Sequence, residues 1–531
     1  MAANGSLPSS DQGGRAGMER HWWTLIAVCG ATFMLLVDIT IVQVALPTMQ
    51  RSLHASFSDL QWVISAYALS LAAVILTQGT LADRFGRKRV FIIGVTVFTL
   101  ASLACGLAHS PSELIAARAV QGIGGAGMFA TSLALIGQDF QGAARSAAIA
   151  VWGATVGGAV AIGPLVGGAL TSAFGWQWIF YVNIPIGVLT LLVSTRMVNV
   201  VDPGARRLDW SGLLTFSGGL FLLVLGLTKG NDDGWSSPRI ETTLGAAAAL
   251  LVLFVIVELR QERPMFDLSL FRKPAFTGVS IATFGIGAGM FALLPYLTLY
   301  LQNALGLSPL QGGERLLPLT TLSFVVPLAS RPLTERVPAG LTLCVGLATS
   351  AVGIWLFTGL TVASGWKALL PGLLVGGVGV GLANPAIAKI ALGVVPPQRA
   401  GMASGISNTF RIGGVATGVA ALGAVFEHRL QSTLHGLVSA RQAAVLARAV
   451  AAGGTRAAAK ISGNKPAIVM AAHHGFVNGM NLVIMVGAVT VAVGAVFAML
   501  VRRKDFYSRR RDGYRPPVPA PVRDLVPEAV G

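Results

Sequence analysis

Apolar residues fall along this chain in blocks of about 20, parted by short stretches that hold most of the charges. A helix rises about 1.5 Å per residue, so one block suffices to cross a hydrocarbon layer of about 30 Å. Segments of about 10 residues that alternate polar and apolar, as in an outer-membrane barrel, are absent. The pattern predicts helices at 23–46, 59–80, 90–109, 112–136, 146–173, 179–199, 210–229, 240–259, 276–302, 315–333, 339–361, 368–392, 402–427 and 475–501. The fold class that follows is an all-α membrane protein with 14 transmembrane helices.

Composition agrees: of 531 residues, 53% are hydrophobic and 11% charged, where a soluble protein carries about 25% charged residues. Cys29, Cys105 and Cys344 all lie in apolar blocks at spacings that fit neither a disulfide framework nor a zinc site, so they read as small buried residues. The net charge of +17 raises the question of nucleic acid, but its distribution answers it. With an even number of spans both termini share one side, and 25 of the 39 Lys and Arg fall there against 11 opposite, six of these in one long loop. The positive-inside rule therefore puts both termini in the cytoplasm of a cell whose inner (plasma) membrane holds the protein. No nucleic-acid partner is expected. Residues 1–22 are a polar tail without an early apolar stretch, so no cleaved signal peptide is expected and the first span serves as the insertion signal. Residues 502–531 form a basic cytoplasmic tail, with Arg509, Arg510 and Arg511, that fixes topology and can touch anionic membrane lipids. The outer loop 428–473 is rich in Ala and Arg, and its stretch 438–461 could form a surface helix.

Short motifs recur at a near-constant offset. Gly122-Ile-Gly124 returns as Gly377-Val-Gly379, 255 residues later, and Gly157-Gly158 as Gly413-Gly414, 256 later. Gly79-Thr-Leu-Ala-Asp83-Arg84 has a weaker echo at Ser330-Arg-Pro-Leu-Thr-Glu335-Arg336. Six spans end near residue 200, so this offset leaves room for two extra helices. The expected domains are a six-helix bundle over 23–200, an inserted helix pair with flanking loops over 205–272, and a second six-helix bundle over 273–501.

The loop Gly79-Thr-Leu-Ala-Asp83-Arg84-Phe-Gly86-Arg87-Lys88-Arg89 is dense in charge between two apolar spans. A positive-inside loop accounts for its cations but not for its Asp or its glycines. The loop resembles the cytoplasmic signature of the major facilitator superfamily, and the resemblance implies a conformational latch made of Gly79, Asp83, Arg84, Gly86 and Arg87. Arg118, in Leu114-Ile-Ala-Ala-Arg118-Ala-Val-Gln121-Gly122-Ile-Gly124, costs about 2.5–3.5 kcal/mol inside a membrane, so it should face a cavity or an acid. This stretch resembles the superfamily's fourth-helix signature, whose Arg is associated with proton transfer. Gly122, Gly124 and Gly127 also match a dinucleotide-binding pattern, but no strand precedes them, and close helix packing explains them better.

Gly163-Pro164-Leu-Val-Gly167-Gly168 in the fifth span resembles the signature of the superfamily's antiporters, which implies a kinked gate at Gly163, Pro164, Gly167 and Gly168. Ala159 stands where that signature has a further Gly. Val37-Asp38-Ile-Thr40 through Pro47, with Trp176-Gln-Trp178 through Asn183-Ile-Pro185, is similar to the fourteen-helix drug:proton antiporter family, the multidrug exporters with an inserted helix pair. Asp209-Trp210-Ser-Gly212, Leu301-Gln302 through Ser308-Pro309 and Gly401-Met-Ala-Ser404-Gly405 look like the same branch. Gln43 replaces that family's usual Asn.

Of 22 acidic residues, Asp38 alone lies well inside a predicted span. It sits about 12 Å from the outer end of its block, and Arg118 about 9 Å from the outer end of its own, so the two can meet. A buried carboxylate is stable beside a cation and can exchange a proton where a cavity reaches it, although a purely structural ion pair explains the same residues. Arg411 is the second deep cation, either touching substrate or neutralised by Asn408 or Asn384. Gln43, Gln121, Asn384, Asn408 and Arg411 are candidate substrate-cavity residues. Glu258, Glu314 and Glu427 lie at span ends and read as interfacial, and His473-His474 as a surface pair rather than a metal site. No Walker A, H-E-x-x-H or G-x-S-x-G pattern is present, so neither an enzyme nor an ATP-driven pump is expected. The expected function is secondary transport of a lipophilic small molecule out of the cell in exchange for protons, by a monomer without a cofactor. Export of one native metabolite or antibiotic is the alternative, and symport a third reading.

Overall fold

In the computed structural model helices form almost everywhere the apolar blocks predict them. The structure describes residues 11–140, 142–197, 209–261, 266–330, 336–395, 400–435, 437–461, 465–502 and 506, among which no strand occurs. The first ten residues, nearly all of the tail beyond 502 and most of the Ser330–Arg336 echo lie outside them.

The chain opens with α1 (Asp11–Leu53), α2 (Phe57–Phe85), α3 (Arg87–Gly106), α4 (Pro111–Asp139), α5 (Gly142–Phe174), α6 (Trp178–Tyr181) and α7 (Asn183–Ser194). Two helices follow, α8 (Trp210–Asp233) and α9 (Pro238–Arg260). A long broken helix is next: α10 (Pro274–Ile286), a π-turn at Gly287–Phe291, α11 (Leu294–Leu299) and a second π-turn at Tyr300–Ala304. Then come α12 (Pro309–Ala329), α13 (Ala339–Trp355), α14 (Leu370–Gly393), α15 (Ala400–Leu434), α16 (Ala440–Ile461) and α17 (Pro466–Ala498). Among the described residues ten stretches are long and apolar enough to cross a membrane, and three shorter apolar helices lie at Ile162–Phe174, Trp178–Ser194 and Ala339–Trp355.

Local chemistry sets the helix ends. Ser56 accepts from the Asp59 amide and Asp59 returns the bond, a capping box that starts α2. Ser308 and Gln311 do the same for α12, and Ser110 followed by Pro111 starts α4. Gly86, at φ 99°, makes the break between α2 and α3 that a side chain would strain. Close packing comes from small residues: a Cβ on Gly124 would lie 2.5 Å from the Phe98 amide nitrogen, so α4 and α3 meet backbone to backbone.

Several boundaries differ from the sequence pattern, three of them with consequences for the acids. α1 runs through Pro47 to Leu53, because hydropathy marks where a helix is apolar and not where it stops. Asp38 is therefore about two turns further from the end of its helix than expected. The stretch 428–473, expected as an outer loop, is nearly all helix among its described residues: α15 continues through Leu434, α16 covers Ala440–Ile461, and α17 begins at Pro466. The surface helix expected at 438–461 is present, yet Ala443, Ala447, Val450 and Ala451 on one of its faces are buried. Glu427, read as interfacial, is 7% exposed and faces Arg448 of α16 at 3.4 Å.

The pair α8–α9 packs alongside the other helices. Leu220 and Val224 of α8 meet Ala68, Leu69 and Ala72 of α2 and Ala416 and Ala420 of α15. Val252, Leu253, Val255, Ile256 and Leu259 of α9 are exposed, as a lipid-facing surface requires. Trp210 is exposed, and Phe254 lies in an aromatic cluster with Phe216 and Phe266.

Candidate functional site

Asp38 and Arg118 meet in the interior. Arg118 Nη1 donates to Asp38 Oδ2 at 2.5 Å and to Gln121 Oε1 at 2.6 Å, while its Nε donates to the Val63 carbonyl at 3.2 Å. The side chains of Arg118 and Asp38 are 2% and 0% exposed. The Arg118 guanidinium also lies over the Tyr67 ring, 4.1 Å from its centroid. Gln121 Nε2 donates to Asp38 Oδ1 at 2.9 Å and to Ser102 Oγ at 2.7 Å, and Asn183 Nδ2 donates to Asp38 Oδ1 at 3.2 Å. Three helices, α1, α4 and α7, thus meet at one carboxylate, which accepts three hydrogen bonds, one of them charged. Such a pair is tolerable in a low-dielectric interior because further hydrogen bonds share its charge.

Gln121 is fully buried within this network, so it serves the charge pair and is not open to a cavity in this conformation. Asn183, Ser102 and Tyr67 also belong to this site, although the sequence pattern alone does not single them out. Asn183 carried a signal, since it is a polar residue inside a predicted span, but Ser and Tyr in apolar helices are too common to stand out.

Small residues in α5 hold α1 in place. A Cβ on Gly163 would overlap Thr40 Oγ1, one on Gly167 would lie 2.7 Å from Ile41, and one on Gly168 would lie 2.7 Å from the Leu310 Cα of α12. The Pro164 carbonyl lies 2.3 Å from where Gly313 of α12 would carry a Cβ. Gly163-Pro164-Leu-Val-Gly167-Gly168 is therefore where α5 packs on α1 and also touches the later helices. Other links between α1–α7 and the later helices gather at the same end. Gln302 Nε2 donates to the Val44 carbonyl at 2.7 Å, the Leu310 amide to Ser172 Oγ at 3.2 Å, and Gln61 Nε2 to Tyr296 Oη and the Val419 carbonyl, each at 3.2 Å.

At the opposite end, Arg87 Nη1 donates to the Ala134 carbonyl at 3.2 Å, and Arg84 is exposed over the Phe85 ring. Gly79 has open space where a Cβ would be, so packing does not demand a glycine there. The Asp83 side chain lies outside the described residues.

Among the later helices, Arg411 Nη2 donates to Asn408 Oδ1 at 2.7 Å, which makes Asn408 rather than Asn384 its neighbour. Asn384 Oδ1 is buried without a hydrogen-bond partner. Gln43 is buried on α1. The structure brings Asp38, Arg118 and Gln121 together and Asn408 with Arg411, but it forms no bond joining these two groups.

A bundle of apolar helices long enough to span a bilayer, packed around a buried ion pair, fits a multi-pass membrane protein. Residues 28–419 match the Major Facilitator Superfamily, and the chain belongs to that family. It is 31% identical to the tetracenomycin C resistance and export protein of Streptomyces glaucescens, over 94% of this chain and 95% of that one. It is 39% identical to the multidrug resistance protein Stp of Mycobacterium tuberculosis, over 77% of each chain. The fold is similar to that of a bacterial homolog of the human lysosomal transporter Spinster in an inward-facing, unoccupied conformation, with TM-score 0.58 and 19% identity over 92% of this chain and 99% of the other.

Proposed function

We propose that the protein is a proton-driven exporter of lipophilic small molecules, with Asp38 as the group that carries the coupled proton. The observation that carries this reading is the buried carboxylate bonded to Arg118, Gln121 and Asn183. When ionised, Asp38 satisfies the Arg118 cation. When protonated, it no longer balances that cation, and one of its oxygens turns from acceptor to donor, so the bonds around it must rearrange. Proton binding thereby changes how α1, α4 and α7 hold one another, and a transporter needs such a link between proton and conformation. The bonds gathered at one end of the bundle fit a state closed on that side and open to the other.

In this reading the chain crosses the inner (plasma) membrane 14 times, as two six-helix bundles over 23–200 and 273–501 with an inserted pair over 205–272, and both termini are cytoplasmic. Asp83 with Arg84 and Arg87 latches the cytoplasmic ends, and Gly163 to Gly168 forms the gate seam. Gln43, Asn384, Asn408 and Arg411 contact substrate. The proton gradient is the energy source, no cofactor takes part, and the monomer suffices. Export of a single antibiotic is the second reading, favoured by the relative named for resistance to and export of tetracenomycin C.

The test is uptake of a panel of lipophilic dyes into inside-out vesicles under an imposed pH gradient. Several unrelated dyes should accumulate, and dissipating the gradient should abolish accumulation. Asp38→Asn should be inserted normally yet inactive, and Asp38→Glu partly active. Accumulation indifferent to the gradient would overturn the proton-driven reading, and accumulation of one compound alone would favour the second.

A further inference from the structure

We propose that Asp209 and Glu258 form a second proton-binding site, distinct from Asp38, in which two facing carboxyl groups share one proton and clasp α8 to α9. Asp209 is the N-cap of α8 and Glu258 lies in the last turn of α9, so both stand at the same end of the pair. They are 9% and 3% exposed.

On each carboxyl one oxygen is satisfied and the other is not. Asp209 Oδ1 accepts from the Gly212 amide at 2.8 Å, Ser211 Oγ at 2.9 Å and Gln261 Nε2 at 2.8 Å. Glu258 Oε2 accepts from the Phe266 amide at 3.2 Å. Asp209 Oδ2 and Glu258 Oε1 are buried without any donor. These two oxygens converge: they lie 2.5 and 2.7 Å from the point where Gly212 would carry a Cβ. The missing glycine side chain leaves the room in which they face each other.

Among the described residues no cation is paired with either carboxyl. Charges acting on Glu258 come from Asp209 and Asp267, both acidic. Arg260 and Arg272 are exposed, Lys273 Nζ donates to the Val394 carbonyl, and Arg411 of α15 is bonded to Asn408. Two carboxylates confined together do not both ionise. One proton placed between Asp209 Oδ2 and Glu258 Oε1 supplies the absent donor, satisfies both orphan oxygens and removes the repulsion. The bond also sets the entry into the later helices, because Glu258 holds the Phe266 amide, and Phe266 packs on Phe271 and on Phe410 of α15. On the expected topology this end faces the cytoplasm. The clasp would then hold while a proton is bound and loosen as cytoplasmic pH rises.

Infrared spectroscopy of the purified full-length protein in lipid nanodiscs tests this, with Asp38→Asn as the background so that no acid at Asp38 contributes. A carboxylic-acid C=O band should persist at neutral pH and disappear in both Glu258→Gln and Asp209→Asn. Asp209→Asn keeps a side-chain acceptor for the α8 cap, so it serves if the other variant does not fold. Thermal stability of the parent should fall as pH is raised beyond neutral, and that slope should flatten in Glu258→Gln. A band that is absent from the parent would overturn the proposal, since both groups would then be ionised around a water or a cation. A band unchanged in both variants would overturn it equally, because the proton would reside elsewhere.

Discussion

Asp38 and Glu258 are both buried carboxyl groups, but their surroundings differ in sign. Asp38 faces Arg118 at 2.5 Å, with Gln121 and Asn183 also donating to it, whereas Glu258 faces Asp209 and receives one backbone amide. The first environment welcomes a negative charge and makes the arrival of a proton a structural event. The second leaves one oxygen of each carboxyl without a donor and makes the departure of a proton the event. Burial alone therefore does not assign a role to an acid. The neighbours that share its enclosure do.

Breaking the comparison at Arg118 should have the largest effect. Arg118→Ala leaves Asp38 buried without its cation, and removing one partner of a buried pair costs about 3–5 kcal/mol. Export should be lost, with a clear drop in thermal stability of detergent-solubilised protein. A stability equal to wild type would mean that the pair contributes little to the fold. Gly167→Leu attacks the site without touching a charge, since the new side chain would collide with Ile41 on α1, at a cost of about 1–3 kcal/mol. Dye accumulation should fall sharply while the protein still inserts, and unchanged accumulation would show that the α5–α1 seam tolerates a shift. Asp83→Asn lies away from both acids and should slow export without changing protein level or dye affinity, as read from initial rates and binding. Full rates would leave the latch without support. Gln43→Asn is the mildest change: one methylene is worth about 0.8 kcal/mol at most, so it should reorder preference among dyes and leave total activity intact.

Much of this was legible in the sequence for a physical reason. Asp38 and Arg118 stood out because a charge inside an apolar block is costly and needs a partner, and the membrane setting makes that signal strong. Their neutral partners were less visible. Asn183, Ser102 and Tyr67 carry no charge, and only the folded chain shows that they surround the same carboxylate. Glu258 and Glu427 read as interfacial because they lie near the ends of apolar blocks, a position that does not tell how far neighbouring segments cover them. Both are covered instead, one by Asp209 and the segment leading to Phe266, the other by α16. The extent of α1, the continuation of α15 to Leu434 and the early start of α17 at Pro466 were missed because hydropathy reports membrane depth, while a helix continues as long as its backbone bonds and neighbours allow.

Substrate-induced proton release from purified protein tests the central claim most directly. A dye that the wild type accumulates is added to lightly buffered protein, and the released protons are followed over a range of pH. Wild type should release protons when the dye binds. Asp38→Asn should still bind the dye, by fluorescence, and release none. If Asp38→Asn releases protons as wild type does and still concentrates the dye in vesicles, the coupling proton is not carried by Asp38.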